Sequence, residues 1–254
     1  MSNPNNPNLP KDAPSALNFF FTGPCNLDCH YCFLKKTDFQ HSPADDDSFK
    51  RGIDILFSYP GRRKTLSFNG SEPTREFESL KRIHDYARKK AKEKNVLLDI
   101  AVITNGTLLN QAMVDYFAAN ETMVKISIDG DKITHDRNRP FRDAPNRSSF
   151  DAIIENVNRI NPGPLKLSAS MVFTPETVLH LVDNIRFLNE NRFFSIEFYP
   201  DQYAPWSLQD LDNMNKAFEA FESYYIELFS SDRGAFKNAF LDTIVNDIET
   251  DKLD

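Results

Sequence analysis

The feature that most constrains the fold is an alternation of short apolar segments with longer amphipathic ones, repeated about six times along the chain. The short segments have strand length, and the longer ones repeat apolar residues with helical spacing. The predicted strands are residues 17–22, 65–68, 96–104, 124–128, 166–173 and 194–199. Strands that alternate with helices favour parallel pairing. The sequence therefore predicts an α/β fold, a partial (β/α)6 TIM-like barrel with parallel strands.

The predicted helices follow these strands in turn. They cover residues 45–59, 77–91, 112–119, 149–160, 175–191, 207–230 and 236–248, and a loop is expected over 135–140. Residues 1–14 are rich in Asn and Pro and are expected to form a disordered lead. No repeat or linker divides the remainder, so we predict one domain over 15–254, a partial barrel with C-terminal helices.

Composition excludes several classes of protein. The chain has 254 residues, 40% of them apolar and 22 of them Phe, enough for a large core. A net charge of -7 argues against a nucleic-acid partner. No apolar run approaches ~18 residues, and the N-terminus lacks the pattern of a signal peptide, so neither a membrane span nor export is expected. With few cysteines, these features favour a cytoplasmic protein.

All three cysteines lie within eight residues, as Cys25, Cys29 and Cys32 in the spacing CxxxCxxC. Three thiolates so close together can hold a metal centre, and iron–sulfur clusters favour such ligands. A [4Fe–4S] cluster held by three cysteines leaves one iron open for another ligand. A zinc site that adds His30 or His41 is the alternative interpretation.

The motif Cys25-x-x-x-Cys29-x-Tyr31-Cys32 resembles that of the radical S-adenosylmethionine (SAM) enzymes. The resemblance implies that these cysteines bind a [4Fe–4S] cluster whose open iron chelates SAM. It also implies that Tyr31 belongs to the cofactor site. An electron from the cluster would split the sulfonium and produce a 5′-deoxyadenosyl radical.

Distinctive polar residues follow five of the predicted strands, at the end where parallel α/β barrels carry their sites. The cysteines follow the first strand, Gly70-Ser71-Glu72-Pro73 the second, and Asn105 the third. Ser127 and Asp129 lie at the end of the fourth, and Glu197 and Asp201 at the end of the sixth. Because the strand prediction did not use the cysteines, this agreement supports a common site.

The segment Gly70-Ser71-Glu72-Pro73 is the first predicted SAM contact. Gly70 allows close approach of the backbone to a ligand, and Pro73 locks the turn. In the resembled family the segment is typically Gly-Gly-Glu-Pro and contacts the SAM amino group; here Ser71 replaces the second glycine. The alternative is an ordinary turn with a structural Glu72.

A second block, from Ser127 to Arg139, resembles a narrower group of radical SAM enzymes. This group modifies peptides and proteins and includes the anaerobic sulfatase-maturating enzymes. The resemblance implies that Ser127 and Arg139 hold the ribose and carboxylate of SAM, and an arginine suits a carboxylate. A surface role for Arg139 is the alternative. Asn105 and Asp129 complete the predicted cofactor contacts.

These resemblances imply hydrogen-atom abstraction from a peptide or protein side chain, with a flavodoxin or ferredoxin as reductant. Glu197 and Asp201 are candidates for acid–base catalysis. Such maturases usually continue into a cysteine-rich SPASM domain that carries auxiliary clusters, whereas no cysteine follows Cys32 here. The chain's own thiolates can therefore hold one cluster, not three. The alternatives are a glycyl-radical-enzyme activase, a radical SAM enzyme acting on a small molecule or nucleotide, and a non-catalytic zinc protein.

Overall fold

The computed structural model describes residues 14–36 and 45–230, with six strands and seven α-helices among them. The strands are β1 (Ala16–Phe21), β2 (Arg63–Gly70), β3 (Leu97–Thr104), β4 (Thr122–Ser127), β5 (Leu167–Phe173) and β6 (Ser195–Pro200). The helices are α1 (Asp46–Ser58), α2 (Phe77–Lys94), α3 (Gln111–Ala119), α4 (Lys132–Asn138), α5 (Ser149–Arg159), α6 (Leu181–Glu190) and α7 (Leu208–Ser230). No helix in this part of the chain is both long and apolar enough to cross a membrane.

The strands belong to one sheet in the order β1-β2-β3-β4-β5-β6. Strands β1 and β2 pair in parallel from Ala16 opposite Thr65 to Phe21 opposite Gly70. Strands β2 and β3, and β5 and β6, are also parallel. Consecutive strands are thus neighbours joined through helices, as the alternation predicts.

The described chain separates into two compact units. The first contains residues 14–26, 34–36, 45–125 and 156–165; the second contains residues 27–33, 126–155 and 166–230. The prediction of a single domain over 15–254 stays a prediction.

An aromatic cluster fixes β1 in the core of the first unit. The Phe19 ring lies 4.8 Å from that of Phe49 on α1 and 5.6 Å from that of Phe68 on β2. Phe21 lies 5.2 Å from Phe49. Aromatic pairs in such arrangements contribute about 0.5–1.5 kcal/mol each beyond the area they bury. They hold the strand that leads directly into the cysteine motif.

In the second unit, α7 packs its aromatic residues against β5 and β6. The Phe198 ring lies 5.0 Å from that of Phe221 on α7, and Phe173 lies 6.3 Å from Phe218. Trp206 meets Phe173 at 6.0 Å and donates its indole N–H to the Asp201 carbonyl. These contacts fix the chain where it leaves β6.

All six predicted strands are confirmed, within a few residues at their ends. The prediction of a loop over 135–140 was wrong in part, because α4 extends to Asn138. Asp131 caps this short helix by accepting a hydrogen bond from the Thr134 N–H, a signal that hydrophobic periodicity does not report. Helix α6 begins later than predicted, after a 3-10 turn at Val178–His180. Most of the predicted lead, and the helix predicted at 236–248, lie outside the described residues.

Gly70 is required by the pairing of β1 with β2. Its φ is +111°, and a Cβ there would collide with the Phe21 carbonyl oxygen and lie 2.7 Å from the Phe21 nitrogen. That carbonyl accepts a hydrogen bond from the Ser71 N–H, so it cannot easily move aside. The neighbouring strand therefore requires a glycine here, and the predicted ligand contact of the Gly70 main chain stays a prediction.

We predict that Gly70→Ala lowers the free energy of unfolding by about 3 kcal/mol or more, because clash and positive φ act together. Gly163→Ala is the matched control, since Gly163 also has a positive φ (+54°) but nothing lies within 4 Å of its Cβ position. It should lose only about 1 kcal/mol or slightly more. Urea unfolding measures both; equal losses would contradict this explanation of Gly70.

Candidate active site

The cysteine motif begins in the first unit and continues in the second. Cys25 belongs to the first unit, and Cys29 and Cys32 belong to the second. All three are partly exposed, and none forms a disulfide. Each is therefore chemically available as a thiolate ligand.

In the first unit, Asn105 donates to the Cys25 sulfur. The Asn105 side-chain Nδ2 lies 3.8 Å from Cys25 Sγ and 2.8 Å from Asn26 Oδ1. Its Oδ1 accepts from the backbone N–H of Thr107 at 3.0 Å and from the Thr107 hydroxyl at 2.7 Å. The loop after β3 thus presents an amide N–H to the first cysteine. Sequence reasoning had placed Asn105 against SAM and had missed Asn26 and Thr107.

The Glu72 carboxylate is buried and holds this loop in place. Its Oε1 accepts hydrogen bonds from the Thr74 N–H at 3.0 Å and the Thr104 hydroxyl at 2.6 Å. Its Oε2 accepts from the Asn105 N–H at 2.7 Å. Burial raises the pKa of Glu72, although these donors act in the opposite direction. Protein donors meet both oxygens, so this side chain has a structural role, and the predicted contact of Glu72 with a cofactor stays a prediction.

In the second unit, the segment that carries Cys29 pairs with the segment after α4. Leu27 forms a bridge with Phe141, and the Asp28 N–H donates to the Pro140 carbonyl at 2.8 Å. The His30 N–H donates to the Asn138 carbonyl at 3.0 Å. These bonds bring the motif beside the predicted SAM contact Arg139.

Asp129 joins these two segments from its position after β4. Its carboxylate, fully buried, accepts from Arg139 Nη2 at 2.8 Å, from the Val172 N–H at 3.0 Å and from the Tyr31 hydroxyl. Burial alone raises the pKa of Asp129, but the charge and hydrogen bond of Arg139, together with His135 and the Tyr31 hydroxyl, outweigh it and hold this pKa below its usual value. Burial also raises the pKa of Tyr31, and the neighbouring Asp129 raises it further. Asp129 is therefore an anion, and its hydrogen bonds position Tyr31 and Arg139.

Arg139 is a buried cation with a donor left over. Only 7% of the residue is exposed, and its guanidinium lies 5.1 Å from the centre of the Tyr31 ring. Burial lowers the pKa of Arg139, but Asp129, Tyr31 and Cys29 together raise it by more, so the group stays charged. Its Nε has no hydrogen-bond partner among the described residues. A buried, unsatisfied N–H is costly, which makes this atom a candidate to meet an anionic ligand.

His135, to which the sequence analysis assigned no role, lies next to Asp129. It is fully buried, and its Nδ1 accepts a hydrogen bond from the Asp129 N–H at 3.3 Å. The neutral ring therefore carries its proton on Nε2, which finds no partner within the described part of the chain. Burial lowers the pKa of His135 to about 4.

The other predicted site residues are less tightly held. Ser71 and Ser127 are partly exposed at the ends of β2 and β4, and their roles stay predictions. Glu197 accepts a hydrogen bond from the Tyr199 hydroxyl at 2.7 Å, and Asp201 accepts one from the Tyr203 N–H at 2.9 Å. Both carboxylates are partly exposed, so acid–base catalysis by either also stays a prediction.

Three thiols in one short motif form a donor set that fits an iron–sulfur cluster. A structural zinc ion gathers four ligand atoms within about 2.0–2.3 Å of one point. Within either unit, the described residues include no group of three His, Cys, Asp or Glu side chains so arranged. Cysteines that bind a cluster attach to separate irons and need no such convergence. Of the histidines considered for zinc, His30 is exposed and His41 lies outside the described residues.

Comparison with known proteins gives one family. The model of the Radical SAM superfamily matches residues 19–188, which include the cysteine motif, Glu72, Asp129 and Arg139. A cysteine-type anaerobic sulfatase-maturating enzyme of Clostridium novyi (strain NT) is 26% identical over 223 residues. That alignment covers 80% of this chain and 58% of the relative, so the chain spans under two thirds of that protein.

Two solved structures share the fold. One, described as native anSMEcpe with bound AdoMet and Cp18Cys peptide, has a TM-score of 0.78 at 20% identity and covers 92% of this chain and 66% of its own. The other, Streptococcus suis SuiB bound to precursor peptide SuiA, has a TM-score of 0.58 at 18% identity. That alignment covers 83% of this chain and 46% of SuiB. These likenesses confirm the predicted fold class.

We predict that Asp129→Asn lowers the free energy of unfolding by about 3–5 kcal/mol, because it leaves the Arg139 cation buried without its counter-ion. The matched control is Asp151→Asn, which breaks the ion pair with Lys132, where both side chains are more than half exposed. Such a pair contributes about 0–1 kcal/mol. Urea unfolding of the cluster-free protein at pH 7 compares the variants. A wild-type midpoint for Asp129→Asn would refute the importance of the pair.

A pH dependence follows from His135. Its pKa is about 4 in the folded protein, and an unfolded histidine has a pKa of about 6.5. Below pH ~6.5 the unfolded chain therefore binds a proton that the folded chain excludes, and stability falls as pH decreases toward 4. We expect a loss on the order of 2 kcal/mol from His135 between pH 7 and pH 5.

Urea unfolding at these two pH values checks this expectation. His135→Gln should weaken the pH dependence, although buried His84, whose pKa is also about 4, contributes in the same direction. His180→Gln, at an exposed histidine, should retain the wild-type pH dependence. If His135→Gln also retains it, the interpretation is wrong.

Proposed function

Because the chain belongs to the radical SAM superfamily, we propose that it abstracts a hydrogen atom from a peptide or protein side chain. As a radical SAM enzyme it uses a [4Fe–4S] cluster and SAM. When bound, the cluster supplies one electron that breaks the sulfonium C–S bond of SAM, giving methionine and the 5′-deoxyadenosyl radical that takes the substrate hydrogen. The reductant that we propose is a flavodoxin or ferredoxin.

We assign the cluster to Cys25, Cys29 and Cys32. The observation that carries this assignment is that every thiol of the chain falls in one CxxxCxxC motif, within the residues that match the family. The amide donor of Asn105 at 3.8 Å from the Cys25 sulfur supports it further, since thiolate ligands of clusters commonly accept such hydrogen bonds.

We assign the carboxylate of SAM to Arg139. Support comes from its buried positive charge and from the unpartnered Nε within the described chain. Asp129 keeps the guanidinium charged and fixes its orientation, so the remaining donors are held ready for an anion. Ser127 and the main chain of Gly70–Pro73 complete the proposed SAM contacts. Glu197 and Asp201 stay the proposed acid–base candidates.

The peptide substrate is supported by the proteins that this chain resembles. The Clostridium novyi relative is named a sulfatase-maturating enzyme, and both solved structures are described with bound peptides. Abstraction moves one hydrogen atom from the substrate to the 5′-deoxyadenosyl radical, which becomes 5′-deoxyadenosine. A deuterium label on that atom therefore shows which class of molecule supplied it. This transfer also separates the peptide hypothesis from its small-molecule and activase alternatives.

We predict that the wild-type protein, reconstituted anaerobically with iron and sulfide and reduced with dithionite, releases 5′-deoxyadenosine and methionine from SAM. Cys29→Ala should lose the cluster and lower product release by at least about 100-fold, because the open iron site is no longer assembled. Chromatography of the products and iron and sulfide analysis measure both effects. Lys89→Ala, at an exposed residue of α2, is the control and should behave as wild type. Zinc without sulfide in the wild-type protein would contradict the proposal.

The substrate class is tested with deuterium. A peptide digest from cells grown in deuterated medium should give deuterated 5′-deoxyadenosine, and the matched unlabelled digest should not. Deuterium arriving only from the small-molecule fraction of the same cells would favour the small-molecule alternative. A glycyl radical formed on an added intact protein would favour the activase.

A further inference from the structure

We propose that Asn105 is a positioning residue for the cluster ligand Cys25, and that its amide hydrogen bond makes the bound cluster easier to reduce. This inference rests on the proposed function. It gives Asn105 a role toward the cluster, in place of the contact with SAM that the sequence had suggested. The residues that support this role all lie within the first unit of the chain.

The hydrogen bonds around Asn105 fix which end of its side chain faces the sulfur. The Thr107 backbone N–H can only donate, and it lies 3.0 Å from Asn105 Oδ1. The other end of the amide, Nδ2, must therefore point toward Cys25 Sγ and Asn26 Oδ1. Asn26 closes the ring by donating to the Thr107 hydroxyl at 2.8 Å. Every member of this ring has a compatible donor or acceptor, so the orientation is determined.

The Asn105 amide is held rigidly. The Asn105 main-chain N–H is bound to the buried Glu72 carboxylate at 2.7 Å, and the residue is only 7% exposed. Asn156 of α5 donates from Nδ2 to the carbonyls of the next two residues, Gly106 at 3.0 Å and Thr107 at 2.9 Å. The donor is thus preorganised before any cluster binds.

The charge of the cluster gives the direction of the effect. Reduction adds one negative charge to a cluster and its thiolates, and an N–H donor stabilises the more negative form. Hydrogen bonds to the sulfurs are among the factors that set cluster potentials. A hydrogen bond to a charged group strengthens as that charge grows, so its contribution differs between the two redox states. Loss of the donor therefore disfavours the reduced cluster.

Two variants separate the donor from the loop. Asn105→Asp keeps Oδ1 for Thr107 and so preserves the turn, but it replaces the N–H donor by an acceptor. Asn105→Ala removes the donor without adding charge. For both, the ratio of reduced to oxidised cluster at a fixed potential should fall by about tenfold, which is about 59 mV for one electron. Asn120→Ala, which removes only a side-chain hydrogen bond to the Tyr116 carbonyl, is the control and should keep the wild-type ratio.

The measurement is a redox titration of the reconstituted proteins followed by electron paramagnetic resonance, with iron content and thermal unfolding of the cluster-free forms alongside. A more negative potential in Asn105→Ala and Asn105→Asp, with wild-type iron content, supports the inference. A wild-type potential in Asn105→Ala overturns it. Failure to load the cluster together with a lowered unfolding temperature also overturns it, since the role is then structural. A wild-type protein that never binds a [4Fe–4S] cluster refutes the proposed function itself.

Discussion

A carboxylate can be buried only if donors meet its charge, and this constraint organises the residues around the cysteines. In the first unit the Glu72 carboxylate draws in the main chain of Asn105; in the second, Asp129 draws in Arg139 and the Tyr31 hydroxyl. Neither carboxylate has access to solvent, so neither can relax by hydration. The loops that supply the donors are therefore fixed wherever these two side chains are fixed.

This arrangement changes the roles of several motif residues. The predicted cofactor contacts of Glu72 and Asp129 stay predictions, but protein donors meet the oxygens of both carboxylates. Each carboxylate positions another residue. Glu72 holds Asn105, whose amide lies beside Cys25, and Asp129 holds the guanidinium of Arg139. Arg139 keeps the unpartnered donor that an anionic ligand can meet. Buried carboxylates of this kind define geometry, while the groups they hold carry the chemistry.

Much of the fold was predictable because its causes are local. Apolar patterning located all six strands of the described residues, because a buried strand leaves either a short apolar run, as at 17–22, or alternating apolar residues, as at 124–128. The prediction failed where polar capping decided the structure, as at Asp131 and α4, because capping by one side chain leaves little periodic trace. Gly70 was singled out correctly, but its reason was the close approach of Phe21 rather than of a ligand.

The sequence by itself determined the alternation of strands and helices, the grouping of all three thiols in one motif, and the family to which the chain belongs. Only the tertiary structure decided which donor meets which acceptor. Asn105 and Cys25 are 80 residues apart, and Tyr31 and Asp129 are 98 apart. The physical reason is that hydrogen bonds and ion pairs act over a few ångströms in space, whereas local sequence patterns report only neighbours along the chain. The roles of Asn105, His135 and Glu72 therefore emerge only when the strands pair and bring their loops together.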